Sequence, residues 1–247
     1  MIPFTAIVPA RRDSQRLPDK PLADIGGVPM IVRVLRRARS SGAMRVVAAV
    51  DDDEIAEVVR AAGFEAQMTG ECDSGSARVC EAARICEVSE RTIVVNVQGD
   101  EPFVEPELVR AVAARLSESP ACVCATAMRP PHSAEEFARP SAVKVVANAK
   151  GEALYFSRAV IPHADGDGEV PASARVHIGV YAYFPRFLRR LAALSPSAAE
   201  QCEQLEQLRI LHHGESIAVA EFPSRSEGVD TPEDLTAARA RAAAEED

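Results

Sequence analysis

Phe4-Thr5-Ala6-Ile7-Val8 runs straight into Pro9-Ala10-Arg11-Arg12-Asp13-Ser14-Gln15-Arg16-Leu17-Pro18-Asp19-Lys20-Pro21-Leu22, an apolar segment followed by four cations within ten residues. An apolar run without in/out alternation predicts a strand over 4–8 covered on both faces, as in a parallel sheet. A basic loop directly after such a strand lies where these sheets bind ligands, at the carboxyl ends of their strands. Guanidinium forks and an ammonium point charge suit the oxygens of a triphosphate. The loop is neither G-x-x-x-x-G-K-[ST] nor G-x-G-x-x-G, so the common phosphate-loop motifs do not describe it.

The alternation continues outward from there. Strands over 46–50, 65–68 and 92–97 are interleaved with helices over 30–41, 54–62, 77–86 and 106–116. That order predicts an α/β fold with a mostly parallel, Rossmann-like sheet flanked by helices. Beyond a strand over 121–127 the pattern is less regular and reads as a smaller C-terminal subdomain. It has strands over 143–146, 153–156, 178–183 and 217–220, and helices over 185–194, 198–211 and 232–244. Residues 163–174, rich in Gly, Asp, Pro and Ala, read as a mobile loop. No repeat and no linker interrupts 1–247, which reads as one domain.

Composition narrows the function. A net charge of −9 argues against a general nucleic-acid partner, while a small anionic substrate fits a local basic cluster on an acidic background. The chain has 25 arginines but only Lys20, Lys144 and Lys150 as lysines. Its six cysteines form no C-x-x-C pair and read as buried thiols, with Cys122 and Cys124 on one face of a strand. No apolar run approaches the roughly 20 residues needed to span a bilayer, and the first residues lack a secretory pattern, so a cytoplasmic protein without a membrane partner is expected.

Two aspartates suit a metal. Asp100 follows the β-branched run 92–97 in Gln98-Gly99-Asp100-Glu101-Pro102, and Asp230 precedes Thr231-Pro232-Glu233-Asp234. Thr231 as N-cap, Pro232 at the first helical position and Asp234 in the first turn make a helix start that leaves Asp230 uncommitted. Mg²⁺ prefers one or two carboxylates together with phosphate oxygens and water.

The basic loop resembles the pattern P-A-R-x-x-S-x-R-L-P-x-K-x-L of the CMP-sugar-acid synthetases, especially the 3-deoxy-manno-octulosonate (KDO) cytidylyltransferases. The likeness extends through Pro29-Met30-Ile31, Asn96 to Pro102, Ala142-Val143-Lys144-Val145-Val146, Ala153 to Arg158, Leu205-Glu206-Gln207-Leu208-Arg209 and Gly228 to Asp234. It implies a nucleotidyltransferase-type fold and transfer of CMP from CTP to a small acidic acceptor, with pyrophosphate released and Mg²⁺ on Asp100 and Asp230. Arg11, Ser14, Arg16 and Lys20 would contact the nucleotide, joined by Pro9, Ala10, Ser74, Gly75, Arg78 and Gln98. Arg16, Lys20, Asp100 and Asp230 would be the catalytic group. Gln98, Arg158, His177, Tyr181, Glu206 and Gln207 would surround the acceptor, with the Arg158 fork on its carboxylate. The nucleotide part would span about 1–130 and 215–247, and the part for acceptor and homodimer contacts about 131–214. KDO or a close analogue leads as acceptor, as in lipopolysaccharide synthesis. Phosphonoformate, or nucleotide binding without chemistry, stays open as an alternative.

The chain departs from the pattern in places. Asp19 stands where the family usually has glycine, and Val50 where threonine is usual. The stretch 68–78 is one residue short, lacks a histidine and reads S-G-S-A-R, and the loop after Pro162 is short and changed.

Overall fold

Phe4–Ala10 forms β1, buried along its whole length because helices cover both faces. Phe4, Ala6 and Val8 point to one core cluster and Ile7 to the other, the period-two alternation of a strand. The computed structural model describes residues 2–13, 16–163 and 170–246, so part of the loop expected over 163–174 lies outside the described residues.

After β1 come a two-residue hairpin, β2 (Asp24–Ile25) and β3 (Val28–Pro29), then α1 (Met30–Ser40), β4 (Arg45–Val50), α2 (Asp53–Ala61), β5 (Glu65–Met68), α3 (Gly75–Ile85), β6 (Ile93–Asn96) and α4 (Pro106–Ser117). The second half holds β7 (Cys124–Arg129), α5 (Ala134–Ala138), β8 (Lys144–Ala147), β9 (Ala153–Ser157), β10 (Val176–Tyr183), α6 (Pro185–Ala193), α7 (Ala198–Glu203), α8 (Gln207–His212), β11 (Ile217–Glu221) and α9 (Pro232–Glu246).

The main sheet runs β11-β7-β10-β6-β1-β4-β5, with β8 bridging β10 to β9. β6, β1, β4 and β5 are mutually parallel, and β10 runs antiparallel to both β6 and β7. The mostly parallel α/β sheet is therefore as expected. Because β10 lies in the middle of it, residues 131–214 share the central sheet with the nucleotide part rather than standing apart.

Helices α1, α2 and α4 pack on one face, and α3, α6 and α8 on the other. From β1 the chain steps outward to β4 and β5, crosses the sheet through α3, and returns at β6 on the other side of β1. The strand order thus reverses between β1 and β6. At such a switch point the loops leave in opposite directions and open a crevice.

Several boundaries differ from the sequence reading. The helix expected over 198–211 is two helices, broken at Gln204, which takes a left-handed φ of 54°. The Arg158 guanidinium donates to the carbonyls of Glu203 (2.7 Å) and Gln204 (3.3 Å), occupying acceptors that a continuous helix would use. α3 begins at Gly75, two residues early, because the Ser74 hydroxyl caps it by accepting from the Ala77 N–H. Cys122 precedes β7 instead of lying in it, and Cys122 and Cys124 are buried in opposite core clusters, not on one face. The β2–β3 hairpin, turned by Gly26 and Gly27 at positive φ, and α5 carried no clear periodic signal. Among the described residues no helix is long and apolar enough to cross a membrane.

Candidate active site

The crevice at the β1/β6 switch point is a cavity of about 480 Å³. The loop after β1 supplies Pro9, Ala10, Arg11, Asp13, Arg16, Lys20 and Pro21 to its wall, the start of α3 supplies Ser74, Gly75 and Arg78, and the turn after β6 supplies Gln98, Gly99 and Asp100. Asp230, at the mouth of α9, closes the ring. Ser14 lies outside the described residues; the other residues expected around a nucleotide all line this one cavity.

The two loops touch because of one residue. A Cβ at Gly99 would sit 2.5 Å from the carbonyl oxygen of Pro9, so only glycine allows the turn after β6 to pass this close to the loop after β1.

Lys20 stands at the centre. Its ammonium donates to Asp100 Oδ2 at 2.7 Å and Asp230 Oδ1 at 2.9 Å, and Arg16 pairs with the other Asp230 oxygen at 3.0 Å. Burial works against the charge on Lys20, yet Asp100 and then Asp230 outweigh it and hold the ammonium above the ordinary lysine range. Burial would also lift Asp230, but Lys20 and Arg16 keep its carboxyl below the usual range. The helix start behind Asp230 is as read: Asp234 accepts from the N–H groups of Asp230 and Thr231, while Thr231 Oγ1 accepts from Asp234. Asp230 is thereby left to face the cavity.

The remaining cations divide. Arg12 turns outward to Asp19 (2.9 Å), Asp52 and Glu54. Arg78 is buried between Asp51 (2.7 Å) and Thr69 (2.6 Å), tying together the loops after β4 and β5. Arg11 lines the cavity and has no ion pair among the described residues. Asp19 adopts the left-handed conformation, φ 51°, that a glycine would take freely, and its charge goes to Arg12 and not to Lys20. Asp73, Cys72 and Asp13 are wall residues that the sequence reading missed, and no motif marked them. Burial, with Glu81 accepting its hydrogen, pushes the Cys72 thiol up to about 11, so it stays protonated and offers no thiolate nucleophile.

Known proteins match this arrangement. A family model described as cytidylyltransferase covers residues 5–217. The chain belongs to the cytidylyltransferase family. A CMP:2-keto-3-deoxy-manno-octonic acid synthetase, solved in complex with CTP, is 39% identical, with a TM-score of 0.91 over 98% of this chain and 99% of that one. A cytidylyltransferase from Leptospira borgpetersenii serovar Hardjo-bovis (strain JB197) is 17% identical and shares the fold, with a TM-score of 0.61 over 97% and 86% of the two chains.

In this cytidylyltransferase the residues expected around an acceptor fall into two groups. In the first, Gln98 lines the cavity from the turn after β6, and Glu206, just before α8, reaches it through Ser74, whereas His177 and Tyr181 on β10 and Gln207 on α8 are not among its wall residues. Gln98 donates to the Gly179 carbonyl of β10 (3.3 Å), and Ser74 donates to Glu206 Oε1 at 2.8 Å. His177 is wedged between Phe156 and Tyr181, with ring centroids 5.2 and 5.3 Å away. Thr126 Oγ1 lies 2.9 Å from its Nε2, and the carbonyls of Ile178 and Val180 claim the threonine proton, which makes the imidazole N–H the donor. Burial brings His177 down to about 3, so it is a neutral imidazole. Among the described residues, the Tyr181 hydroxyl and Asn96 Oδ1 are buried without partners. They belong to directly opposed residues of β10 and β6, whose side chains share one face.

Arg158 forms the second group. Its guanidinium donates to the backbone carbonyls of Glu203, Gln204 and Pro140, so in this structure its fork holds the break between α7 and α8 and is not directed at the cavity.

Proposed function

We propose that this cytidylyltransferase transfers CMP from CTP to KDO or a close analogue. The acceptor oxygen forms a bond to the α-phosphorus as the bond to pyrophosphate breaks, and the acceptor proton passes to solvent. The observation that carries the reading is the 39% identity, across 98% of the chain, to a CMP:2-keto-3-deoxy-manno-octonic acid synthetase complexed with CTP. It is joined to a cavity in which Arg11, Arg16 and Lys20 converge from one loop. These cations suit the phosphate oxygens, and in-line displacement needs orientation and charge neutralisation but no protein nucleophile.

Asp100 and Asp230 fit a divalent cation. Both carboxylates already converge on a single positive charge, the Lys20 ammonium. Arg11, Arg16, Lys20 and Arg78 are matched by Asp13, Asp73, Asp100 and Asp230 on the same wall, a balance that suits a triphosphate bringing its own counter-cation. Bound there, Mg²⁺ would neutralise charge developing on the phosphates. Lys20 would then exchange its carboxylate partners for phosphate oxygens.

The unpartnered Tyr181 hydroxyl and Asn96 amide oxygen, beside neutral His177, offer one donor and one acceptor to a hydroxylated sugar acid. We also infer a homodimer, supported by the exposed Leu154, Tyr155 and Val160 on and beside the edge strand β9. The described cysteines are all unpaired, in keeping with a cytosolic setting.

Purified protein given CTP, Mg²⁺ and a panel of KDO, 8-amino-KDO, sialic acid and phosphonoformate should release pyrophosphate fastest with one of the first two. A preference for phosphonoformate would redirect the acceptor assignment. Silence with every acceptor would refute the transferase reading.

A further inference from the structure

Asp230 sits at the end of a ten-residue stretch, 222–231, that has neither helix nor strand. Its side chain is held on both oxygens from within the cleft, by Lys20 and Arg16, and the backbone of the stretch is held separately, from outside the cleft. Following its backbone N–H groups shows what holds it. At the start, Phe222 donates to the Met128 carbonyl at 2.9 Å. At the end, Val229 donates to the carbonyl of Asp100 at 2.8 Å and packs with Phe103 and Leu17. Between these ends the stretch is tied to two glutamates.

Glu105 accepts from Ser224 Oγ at 2.6 Å and from the Arg225 N–H at 2.7 Å. Glu101 accepts from Ser226 Oγ, and the Ser226 N–H closes the network on Ser224 Oγ at 3.0 Å. Ser224 and Ser226 are 1% and 8% exposed, so the two serine hydroxyl bonds are partly shielded from water, while the Arg225 bond is exposed. Glu105 precedes α4 at the N-cap position, yet its side chain makes no bond to that helix. Both carboxylates flank the turn that begins at Asp100, with the Val104 N–H closing on the Glu101 carbonyl at 3.1 Å.

We propose that Glu101 and Glu105 are positioning residues that clamp residues 224–226 to the turn after β6 and so set Asp230 against Asp100. This rests on the reading of those aspartates as the pair that holds the metal. Partners behind a ligand orient it and are felt in metal affinity. A role in fold stability alone would leave the metal affinity of the folded protein unchanged.

The test uses Mn²⁺ titrated into the full-length protein, with and without CTP, and followed by the paramagnetic resonance of free Mn²⁺. With CTP present, Glu101→Ala and Glu105→Ala should bind Mn²⁺ about tenfold or more weakly, while CTP binding without metal moves less than about twofold. Glu105→Gln should restore part of the affinity, since its amide oxygen can still accept from the Arg225 N–H while its NH2 donates to Ser224 Oγ. If either alanine variant does not fold, Ser226→Ala removes the bond to Glu101 and Ser224→Ala removes both the bond to Glu105 and the one from the Ser226 N–H, and both carry the same expectation. Folded variants with wild-type Mn²⁺ affinity would overturn the clamp, provided Asp100→Ala loses it. If Asp100→Ala binds Mn²⁺ as wild type does, the metal assignment fails and the clamp with it.

Discussion

Lys20 and Lys144 place the same ammonium in two regions of one molecule, to opposite ends. Lys20 lies at the centre of the cleft between two carboxylates that come from residues 80 and 210 positions away. Lys144 is fully buried in β8 and donates to the backbone carbonyls of Arg139 (2.9 Å) and Arg158 (2.6 Å). Arg158 repeats the second pattern on the carbonyls of Pro140, Glu203 and Gln204. Around the nucleotide cleft, charges meet charges and can change partners when a ligand arrives. Around β8 and the break between α7 and α8, the Lys144 and Arg158 charges satisfy the backbone and fix the shape of loops. A shared basic residue therefore has to be read from its partners. Lys20 faces the carboxylates of Asp100 and Asp230, Arg78 on the same wall is locked onto Asp51 and Thr69, and Lys144 and Arg158 hold backbone carbonyls.

That contrast can be strained from both ends. On the cleft side the largest effect should come from Gly99→Ala, whose methyl would sit 2.5 Å from the Pro9 carbonyl oxygen. Parting the two loops should lower kcat/KM for CTP about a hundredfold, as misplacement by an ångström does elsewhere. On the other side, Lys144→Met leaves two buried carbonyls unpaired and should cost about 2–4 kcal/mol in denaturant unfolding, with CTP affinity unchanged. A loss of CTP binding in a folded Lys144→Met protein would erase the distinction between the regions.

His177 supplies the pH test. Its folded pKa, about 3, lies below the ordinary histidine value, so the unfolded chain binds the extra proton as pH falls. Stability from keeping it neutral is present above about 6.5 and is lost toward 3. Relative to His177→Phe, the wild-type protein should lose about 2 kcal/mol between pH 6.5 and 5, read from urea midpoints. The smallest effect is expected at Asp19→Gly. Relief of the positive φ opposes loss of an exposed ion pair with Arg12, so stability should move by no more than about 0.5 kcal/mol.

The cleft was largely legible in the sequence because its residues come from strand ends, where an apolar run stops and a polar loop begins. Arg11, Arg16, Lys20, Ser74, Gly75, Gln98, Asp100 and Asp230 were all named and all line one cavity. Arg78 was named too, but its head is committed to Asp51 and Thr69, a pairing between loops that no local pattern reveals. The acceptor side was harder to read for the same reason. The break at Gln204 depends on Arg158, which lies 46 residues away, and helical periodicity carries no record of such a partner. Glu101 and Glu105 were passed over because their partners lie more than a hundred residues downstream.

The most direct test of the account is the rate of pyrophosphate release by Asp100→Asn with saturating CTP, Mg²⁺ and KDO. The substitution keeps the shape of the side chain and removes half of the charge pair around Lys20. At an unchanged melting temperature the rate should fall by about a hundredfold or more. A rate close to that of the wild-type protein, with CTP still bound, would contradict the assignment of Asp100 and Asp230 as the working pair.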